Sequence, residues 1–181
     1  MVLVVAGLVV FMSIRWLLRI RNANLGSLTE KKQLIAELTE TIIPRTDTPG
    51  AKDANVADFV VAMVTYGLTK TEQWTFLLGL EDVDNYALRH FGQVFLTCSA
   101  EQRIDVLRYF ERSLWVGPRL VLKIRNKLLG RSFFELLRWL TAIGYCSSEA
   151  GATKALRYDF MPMVYNGCVP LENGQRAWAI R

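Results

Sequence analysis

The side chains of this sequence that could support catalysis are few and scattered. Three carboxylates, Glu81, Asp82 and Asp84, lie close together in a predicted helix, and His90 is the single histidine of the chain. Paired carboxylates can act in acid–base catalysis when a pocket separates their pKa values, but nothing in the sequence indicates such a pocket. We therefore interpret the carboxylates as a solvated helix face. We interpret His90 as a residue near the negative end of a helix dipole.

The motifs that bind redox cofactors are missing from the sequence. No Gly-x-Gly-x-x-Gly follows a predicted strand, so a Rossmann-type flavin or nicotinamide site is unsupported. There is no Cys-x-x-Cys-His haem attachment motif, and the cysteine spacing fits no iron–sulfur pattern. We therefore expect no catalytic residue, bound cofactor or metal in this chain.

The three cysteines, Cys98, Cys146 and Cys168, are an odd number and lie far apart. One interpretation is that two or three of them are buried and behave as small hydrophobic residues. The other applies in an oxidising compartment, where one disulfide would leave a thiol able to pair with a partner chain. Cys146 and Cys168 are the candidates for an intersubunit thiol, because they lie in or beside non-helical C-terminal segments.

The most distinctive stretch is residues 41–54, with the sequence TIIPRTDTPGAKDA. Pro44 disfavours helical geometry at Ile43 and donates no backbone hydrogen bond, so the preceding helix is predicted to end there. Pro49 and Gly50 predict a second chain reversal. A charged turn fixed by prolines indicates recognition, although a sharp helix–helix connection alone would use the same two prolines.

This stretch resembles part of the gluconate 2-dehydrogenase subunit 3 family, as do SEAGATKALRYD at residues 148–159 and YNGCVPLENGQRAWA at residues 165–179. The resemblance extends over residues 28–179. It implies a non-catalytic small subunit of a membrane-associated dehydrogenase that oxidises sugars or sugar acids. FAD would be bound by a large partner subunit of the glucose-methanol-choline type, and a cytochrome c subunit or a quinone would accept the electrons.

The same resemblance implies that the small subunit assists the assembly, export and stability of the flavoprotein, in a chaperone-like way, in the periplasm. The alternative is a stand-alone membrane-anchored helical adaptor or structural protein. Under the first hypothesis the partner interface lies in the three segments, where tyrosine, tryptophan and arginine are typical of binding hot spots. The predicted interface residues are Pro44, Arg45, Asp47 and Pro49 in the first segment, Glu149, Thr153, Arg157 and Asp159 in the second, and Tyr165, Cys168, Pro170, Arg176 and Trp178 in the third.

The composition is typical of one globular domain with a hydrophobic core. The chain has 181 residues, of which 51% are hydrophobic, and a formal net charge of +5. Arg15, Arg19 and Arg21 account for three of these charges, so the remainder of the chain is close to neutral. A near-neutral body does not support nucleic-acid binding.

Residues 1–22 are predicted to be a separate apolar segment. An apolar run reaches Ile14 and continues through Leu18 and Ile20, which is nearly long enough to span a bilayer, with Arg15 and Arg19 at the interface. A membrane anchor, an export signal without the usual positive n-region and a buried core helix are all open interpretations. Arginines after the run favour a cytoplasmic location for the rest of the chain, whereas the family resemblance implies a periplasmic, membrane-associated one.

Helix signals organise residues 23–181, the predicted helical domain. Capping boxes, in which a hydroxyl residue is followed three positions later by Glu or Gln, start at Ser27, Thr69, Ser99 and Ser132. The predicted helices are residues 28–43, 56–66, 70–90, 100–115, 119–129, 133–143 (closed by Gly144) and 148–156. No stretch shows strand alternation. The fold class is therefore predicted to be all-α, a compact multi-helix bundle.

Two further segments have two interpretations each. Residues 119–131 alternate basic and aliphatic side chains, so they form either a solvated basic helix face or a contact with anionic lipid or an acidic partner. Residues 157–181 are irregular and rich in aromatic side chains. A segment of that composition either wraps back over the bundle or docks on a partner.

Overall fold

The computed structural model describes residues 25–113, 131–158, 168, 170 and 173–179. The predictions made for residues 1–22 and for residues 119–130 lie outside this part of the chain. The same holds for the predicted interface residues Asp159 and Tyr165. The described part is helical and contains no strand, which confirms the all-α class.

Six α-helices and two short turns make up the described residues. The helices are α1 (Ser27–Glu30), α2 (Lys32–Ile42), α3 (Val56–Tyr66), α4 (Lys70–Phe91), α5 (Ala100–Ser113) and α6 (Phe133–Ser147). A 3₁₀ turn covers Phe95–Thr97, and a π-helical turn covers Gly151–Ala155. The predicted bounds of α3 are confirmed at both ends, and α4 extends one residue beyond its prediction.

Three of the four predicted capping boxes are present. The hydroxyls of Thr69 and Ser132 accept from the backbone N–H groups three positions later, and the glutamates there bond back to the cap residues. Ser99 forms the same pair of bonds with Gln102, at 3.3 and 2.9 Å. Each box satisfies two backbone N–H groups that a helix start would leave unpaired.

The box predicted at Ser27 is wrong. The N-cap residue of α1 is Gly26, because the carbonyls of Leu25 and Gly26 already accept from Leu28 and Thr29. Ser27 therefore lies inside the helix. The predicted helix over residues 28–43 is also divided, since Lys31 leaves helical geometry between α1 and α2.

Helix α6 lies at the centre of the hydrophobic core, where it contacts α2, α3, α4 and α5. Its residues Leu136, Leu137 and Leu140 are fully buried. Phe133 packs against Phe76 with ring centroids 5.5 Å apart. Burying each large apolar side chain stabilises the fold by about 1.5–3 kcal/mol. The buried face of α6 therefore contributes strongly to the stability of the bundle.

The prediction that Gly144 ends this helix is wrong, because α6 continues to Ser147. Gly144 is buried where α6 crosses α3. A Cβ atom at this position would lie 2.7 Å from Cδ1 of Phe59 and 3.2 Å from Cγ1 of Val56. The glycine therefore permits close helix packing instead of stopping the helix.

Replacing Gly144 with valine should lower the free energy of unfolding by about 1–3 kcal/mol, since overpacking forces neighbouring side chains or the backbone to move. Urea unfolding followed by circular dichroism measures this. The matched control is Ala142→Val, which adds the same side chain at an exposed position of α6 and should cost less than about 1 kcal/mol. Equal stability of the two variants would contradict the packing role of Gly144.

Candidate partner-binding surface

The turn between α2 and α3 is organised by the carboxylate of Glu40, near the end of α2. Its Oε1 accepts from the Arg45 backbone N–H at 3.0 Å, and its Oε2 accepts from the Lys52 backbone N–H at 2.8 Å. Hydrogen bonds to an ionised carboxylate are stronger than neutral ones. One side chain therefore fixes the backbone on both sides of the turn.

Gly50 makes this arrangement sterically possible. A Cβ atom on Gly50 would lie 2.6 Å from Glu40 Oε2 and 2.8 Å from the Arg45 backbone nitrogen. The following residue, Ala51, is fully buried and donates its N–H to the carbonyl of Ile43 at 3.0 Å. The turn is thus folded onto the bundle.

Helix α6 holds the turn from the other side. The hydroxyl of Tyr145 donates to the carbonyl of Pro49 at 2.6 Å, and the tyrosine ring is buried. After α6 ends, Ser148 donates its hydroxyl to the Tyr145 carbonyl at 2.7 Å and accepts from the Gly151 N–H at 3.0 Å. Tyr145 therefore lies between the first and second of the three motif segments.

The predicted short helix over residues 148–156 is confirmed, because residues 149–150 are helical and residues 151–155 continue as a π-helical turn. Leu156 donates its N–H to the carbonyl of Gly151, five residues earlier, at 3.0 Å, which is the π spacing. Gly151 is buried against α6, and a Cβ atom there would clash with the Tyr145 carbonyl. Close packing on α6 thus requires a glycine at the start of this turn.

The described part of the C-terminal tail, residues 173–179, lies against this second segment. Arg157 donates its N–H to the Ala177 carbonyl at 2.8 Å and accepts from the Ala179 N–H at 2.9 Å. The Arg157 guanidinium carbon lies 4.4 Å from the centroid of the Trp178 ring, a cation–π contact. Arg176 Nη1 donates to the Lys154 carbonyl at 2.6 Å. This part of the tail wraps back onto the chain.

The three segments together enclose an open cleft of about 610 Å³. Residues 45–49 and Asp53 line one side of it, and Ala150, Lys154 and Arg176 line the other. Most of these residues are polar or charged. Segments separated by about a hundred residues in sequence therefore form one concave surface.

The cleft contains four of the predicted interface residues: Arg45, Asp47, Pro49 and Arg176. The other described ones lie outside its lining: Pro44, Glu149, Thr153, Arg157, Cys168, Pro170 and Trp178. Asp53 and Lys154 were not predicted. Both belong to the motif segments, but no signal in the sequence distinguished them from their neighbours.

The charges on the turn side of the cleft are largely paired with each other. Arg45 Nη1 lies 3.5 Å from Asp53 Oδ1, and Asp53 Oδ2 accepts from the Gly50 N–H at 3.0 Å. The Arg45 side chain is 74% exposed, so this ion pair contributes at most about 1 kcal/mol to stability. The ion pair therefore contributes little to the fold, and the guanidinium of Arg45 is accessible from solvent.

The acidic cluster on α4 is only partly the solvated face that was predicted. Asp84 is half-buried, and its Oδ1 accepts from the Phe95 N–H at 3.2 Å, so it fixes the 3₁₀ turn. Partial burial raises the pKa of the Asp82 carboxyl, and the negative charge of Glu81 raises it further. No group of three or more histidine, cysteine, aspartate or glutamate side chains in the described residues is placed to hold a metal ion.

His90 lies in the last turn of α4, as predicted. Its Nδ1 is 3.1 Å from the Tyr86 carbonyl, and its ring stacks on that of Tyr86 with centroids 3.9 Å apart. Gly92 follows in left-handed geometry and caps the helix. These contacts hold the His90 ring against its own helix.

The three thiols lie in different environments. Cys98 is buried and donates its S–H to the Val94 carbonyl at 3.5 Å. Cys146 and Cys168 are exposed, and neither is in a disulfide. The expectation of buried thiols is therefore confirmed for Cys98 and wrong for the other two. A role for Cys146 or Cys168 in pairing with another chain stays a prediction.

The fold and the cleft define a small all-α protein with a preformed polar surface. Its sequence matches the family described as gluconate 2-dehydrogenase subunit 3 over residues 29–163, about three-quarters of the chain, and the protein belongs to that family. Membership is consistent with an accessory subunit of a dehydrogenase complex. Comparisons with curated proteins and with solved structures gave no match. Among the helices of the described residues, none is both long and apolar enough to cross a membrane.

Replacing Glu40 with alanine should lower the free energy of unfolding by about 1–3 kcal/mol, because two backbone N–H groups lose their acceptor. Glu40→Gln should cost less, since one carbonyl oxygen remains. Chemical denaturation of both variants checks this order. The control is Glu81→Ala, which removes a partly exposed 3.7 Å contact with Lys31 and no backbone hydrogen bond, and should change stability by at most about 1 kcal/mol. If Glu40→Ala is no more destabilising than this control, Glu40 does not hold the turn.

In the reduced native protein, two of the three thiols should react rapidly with a maleimide reagent. Cys146 and Cys168 are exposed, whereas Cys98 is 4% exposed and should react only when the protein unfolds. Mass spectrometry of peptides after a short labelling pulse identifies each site. The same pulse in denaturant, where all three should label, is the control. Fast labelling of Cys98 under native conditions would contradict its burial.

Proposed function

We propose that this chain is the non-catalytic small subunit of a gluconate 2-dehydrogenase-like complex. It binds an FAD-dependent large subunit of the glucose-methanol-choline type and assists that subunit's assembly, export and stability. The observation that carries the proposal is the cleft, in which the turn at residues 41–54, the turn at residues 151–155 and the tail meet on one surface. Family membership supplies the class of complex.

The geometry of the cleft suits protein binding. Its backbone is held by Glu40 and Tyr145, while Arg45, Asp47 and Lys154 project exposed side chains. A surface that is already ordered loses less conformational entropy on association. Polar side chains on a fixed loop are also a common arrangement for recognition.

Binding alone is sufficient for the assisting role. A partner that binds only the folded form of the flavoprotein stabilises it by about 2.7 kcal/mol when its free concentration is a hundred times Kd. This effect needs no catalytic group in the small subunit. FAD belongs to the large subunit in this proposal, and a cytochrome c subunit or a quinone takes the electrons.

The location we propose is the periplasm, in association with the membrane. The support for the membrane is the apolar character of residues 1–22, and the support for the periplasm is membership of the family. An anchor of this kind would hold the assembled dehydrogenase at the bilayer, where a quinone or a membrane cytochrome is accessible.

The double variant Arg45→Ala/Asp47→Ala, with Pro44 and Pro49 unchanged, should bind the flavoprotein at least about tenfold more weakly while it folds normally. Folding is preserved because Glu40 accepts from the backbone of Arg45 and not from its side chain. A tenfold loss corresponds to about 1.4 kcal/mol of binding free energy. Titration with a purified FAD-dependent flavoprotein of the glucose-methanol-choline type measures affinity, and thermal unfolding measures stability.

The matched control is Asp105→Ala/Arg108→Ala, which removes an exposed ion pair of 3.4 Å on α5, outside the cleft. Wild-type affinity in both double variants would exclude Arg45 and Asp47 from the interface. If the unmodified chain does not bind the flavoprotein at all, the subunit role is wrong and the stand-alone adaptor is favoured.

A further inference from the structure

We infer that the cleft binds an acidic segment of a partner polypeptide, and that Lys154 and Arg176 are the side chains that receive its carboxylates. The identity of the partner rests on the proposed function. The chemistry of the segment rests on the distribution of charge across the two sides of the cleft.

On the turn side, the acidic groups already have partners within the turn. Asp53 accepts from Gly50 and lies 3.5 Å from the guanidinium of Arg45. Asp47 Oδ1 accepts from the Thr46 hydroxyl at 3.0 Å. The carboxylates of the cleft are thus engaged with their neighbours, and none of them is paired with a base on the opposite side.

On the opposite side, two basic residues have no carboxylate partner among the described residues. Lys154 is exposed, and none of the ion pairs found in this part of the chain includes it or Arg176. Arg176 uses Nη1 to donate to the Lys154 carbonyl at 2.6 Å, so the tail brings a second positive charge to residue 154. Its remaining guanidinium donors suit a carboxylate, which accepts two parallel hydrogen bonds.

The cleft fits an acidic peptide better than an anionic membrane surface. Its charged lining residues are three bases (Arg45, Lys154 and Arg176) and two carboxylates (Asp47 and Asp53). Carboxylates at the site would repel a uniformly negative bilayer, whereas a peptide can avoid them with neutral residues. The concave volume of about 610 Å³ accommodates several side chains, and complementary potentials of this kind set the specificity of protein association.

The test uses the full chain and two fluorescein-labelled hexapeptides, one of glutamate and one of glutamine. Fluorescence anisotropy should show binding of the glutamate peptide alone, weakening as salt is added. The charge-reversed variant Lys154→Glu/Arg176→Glu should bind it at least about tenfold more weakly. The variant Lys154→Gln/Arg176→Gln removes both charges but keeps side-chain donors that can hold the tail in place. Weak binding by this variant, with the tail still in place, would show that the loss of charge and not displacement of the tail is the cause.

The matched control is Arg108→Glu/Arg112→Glu, which changes net charge equally at exposed positions of α5. It should retain wild-type binding of the glutamate peptide. If the control and the charge-reversed variant bound the glutamate peptide equally, the inference would be overturned, because the position of the charges would then have no effect on peptide binding. The inference would also be overturned if the chain bound phosphatidylglycerol vesicles but not the glutamate peptide, and if charge reversal abolished the vesicle binding. That result would indicate an anionic lipid as the ligand.

A parallel titration with the flavoprotein separates this inference from the proposed function. Loss of flavoprotein binding in the charge-reversed variant, with the control unaffected, supports both. Undiminished binding in both variants overturns the inference and leaves the subunit role standing. Peptide binding by a chain that does not bind the flavoprotein supports the acidic ligand and overturns the subunit role.

Discussion

The structure of the cleft depends on one interaction, the pair of hydrogen bonds that the Glu40 carboxylate accepts from the backbone of Arg45 and Lys52. They join the two ends of a turn that contains two prolines, and they act beside the backbone bond from Ala51 to Ile43. Position 50 favours glycine, because a Cβ atom would lie 2.8 Å from the backbone nitrogen of Arg45 and would also crowd the same carboxylate. The shape of the cleft is therefore a consequence of how α2 ends.

Helix α2 contributes a second carboxylate, Glu37, three positions earlier and so on the same face of the helix. Glu37 pairs with Lys52 on the turn and with Arg103 on α5, and the Glu37 and Arg103 side chains are only 17% and 21% exposed. Arg103 also donates to the Leu96 carbonyl at 2.7 Å. The position of the turn is thus tied to α5 and the 3₁₀ turn, as well as to its own helix.

Helix α6 relates the two sides of the cleft. Gly144 allows it to approach α3, Tyr145 donates to the turn, and the Tyr145 carbonyl excludes a side chain at Gly151. Two neighbouring residues near the end of α6, Gly144 and Tyr145, therefore position both the first and the second motif segment. The tail is added last in sequence, through backbone bonds at Arg157 and the contact of Arg176 with residue 154.

Local chemistry in the sequence determined the helix starts at Thr69, Ser99 and Ser132, because a capping box involves only four consecutive residues. It also determined that α2 ends just before Pro44. The tertiary structure alone decided what Gly144 does, since a glycine that stops a helix and one that admits a neighbouring ring look the same in sequence. It likewise decided that Cys146 is exposed, that Asp84 holds Phe95, and that Lys154 lines the cleft. Each of these depends on contacts between residues far apart in the chain, and periodicity and capping signals carry no information about such contacts.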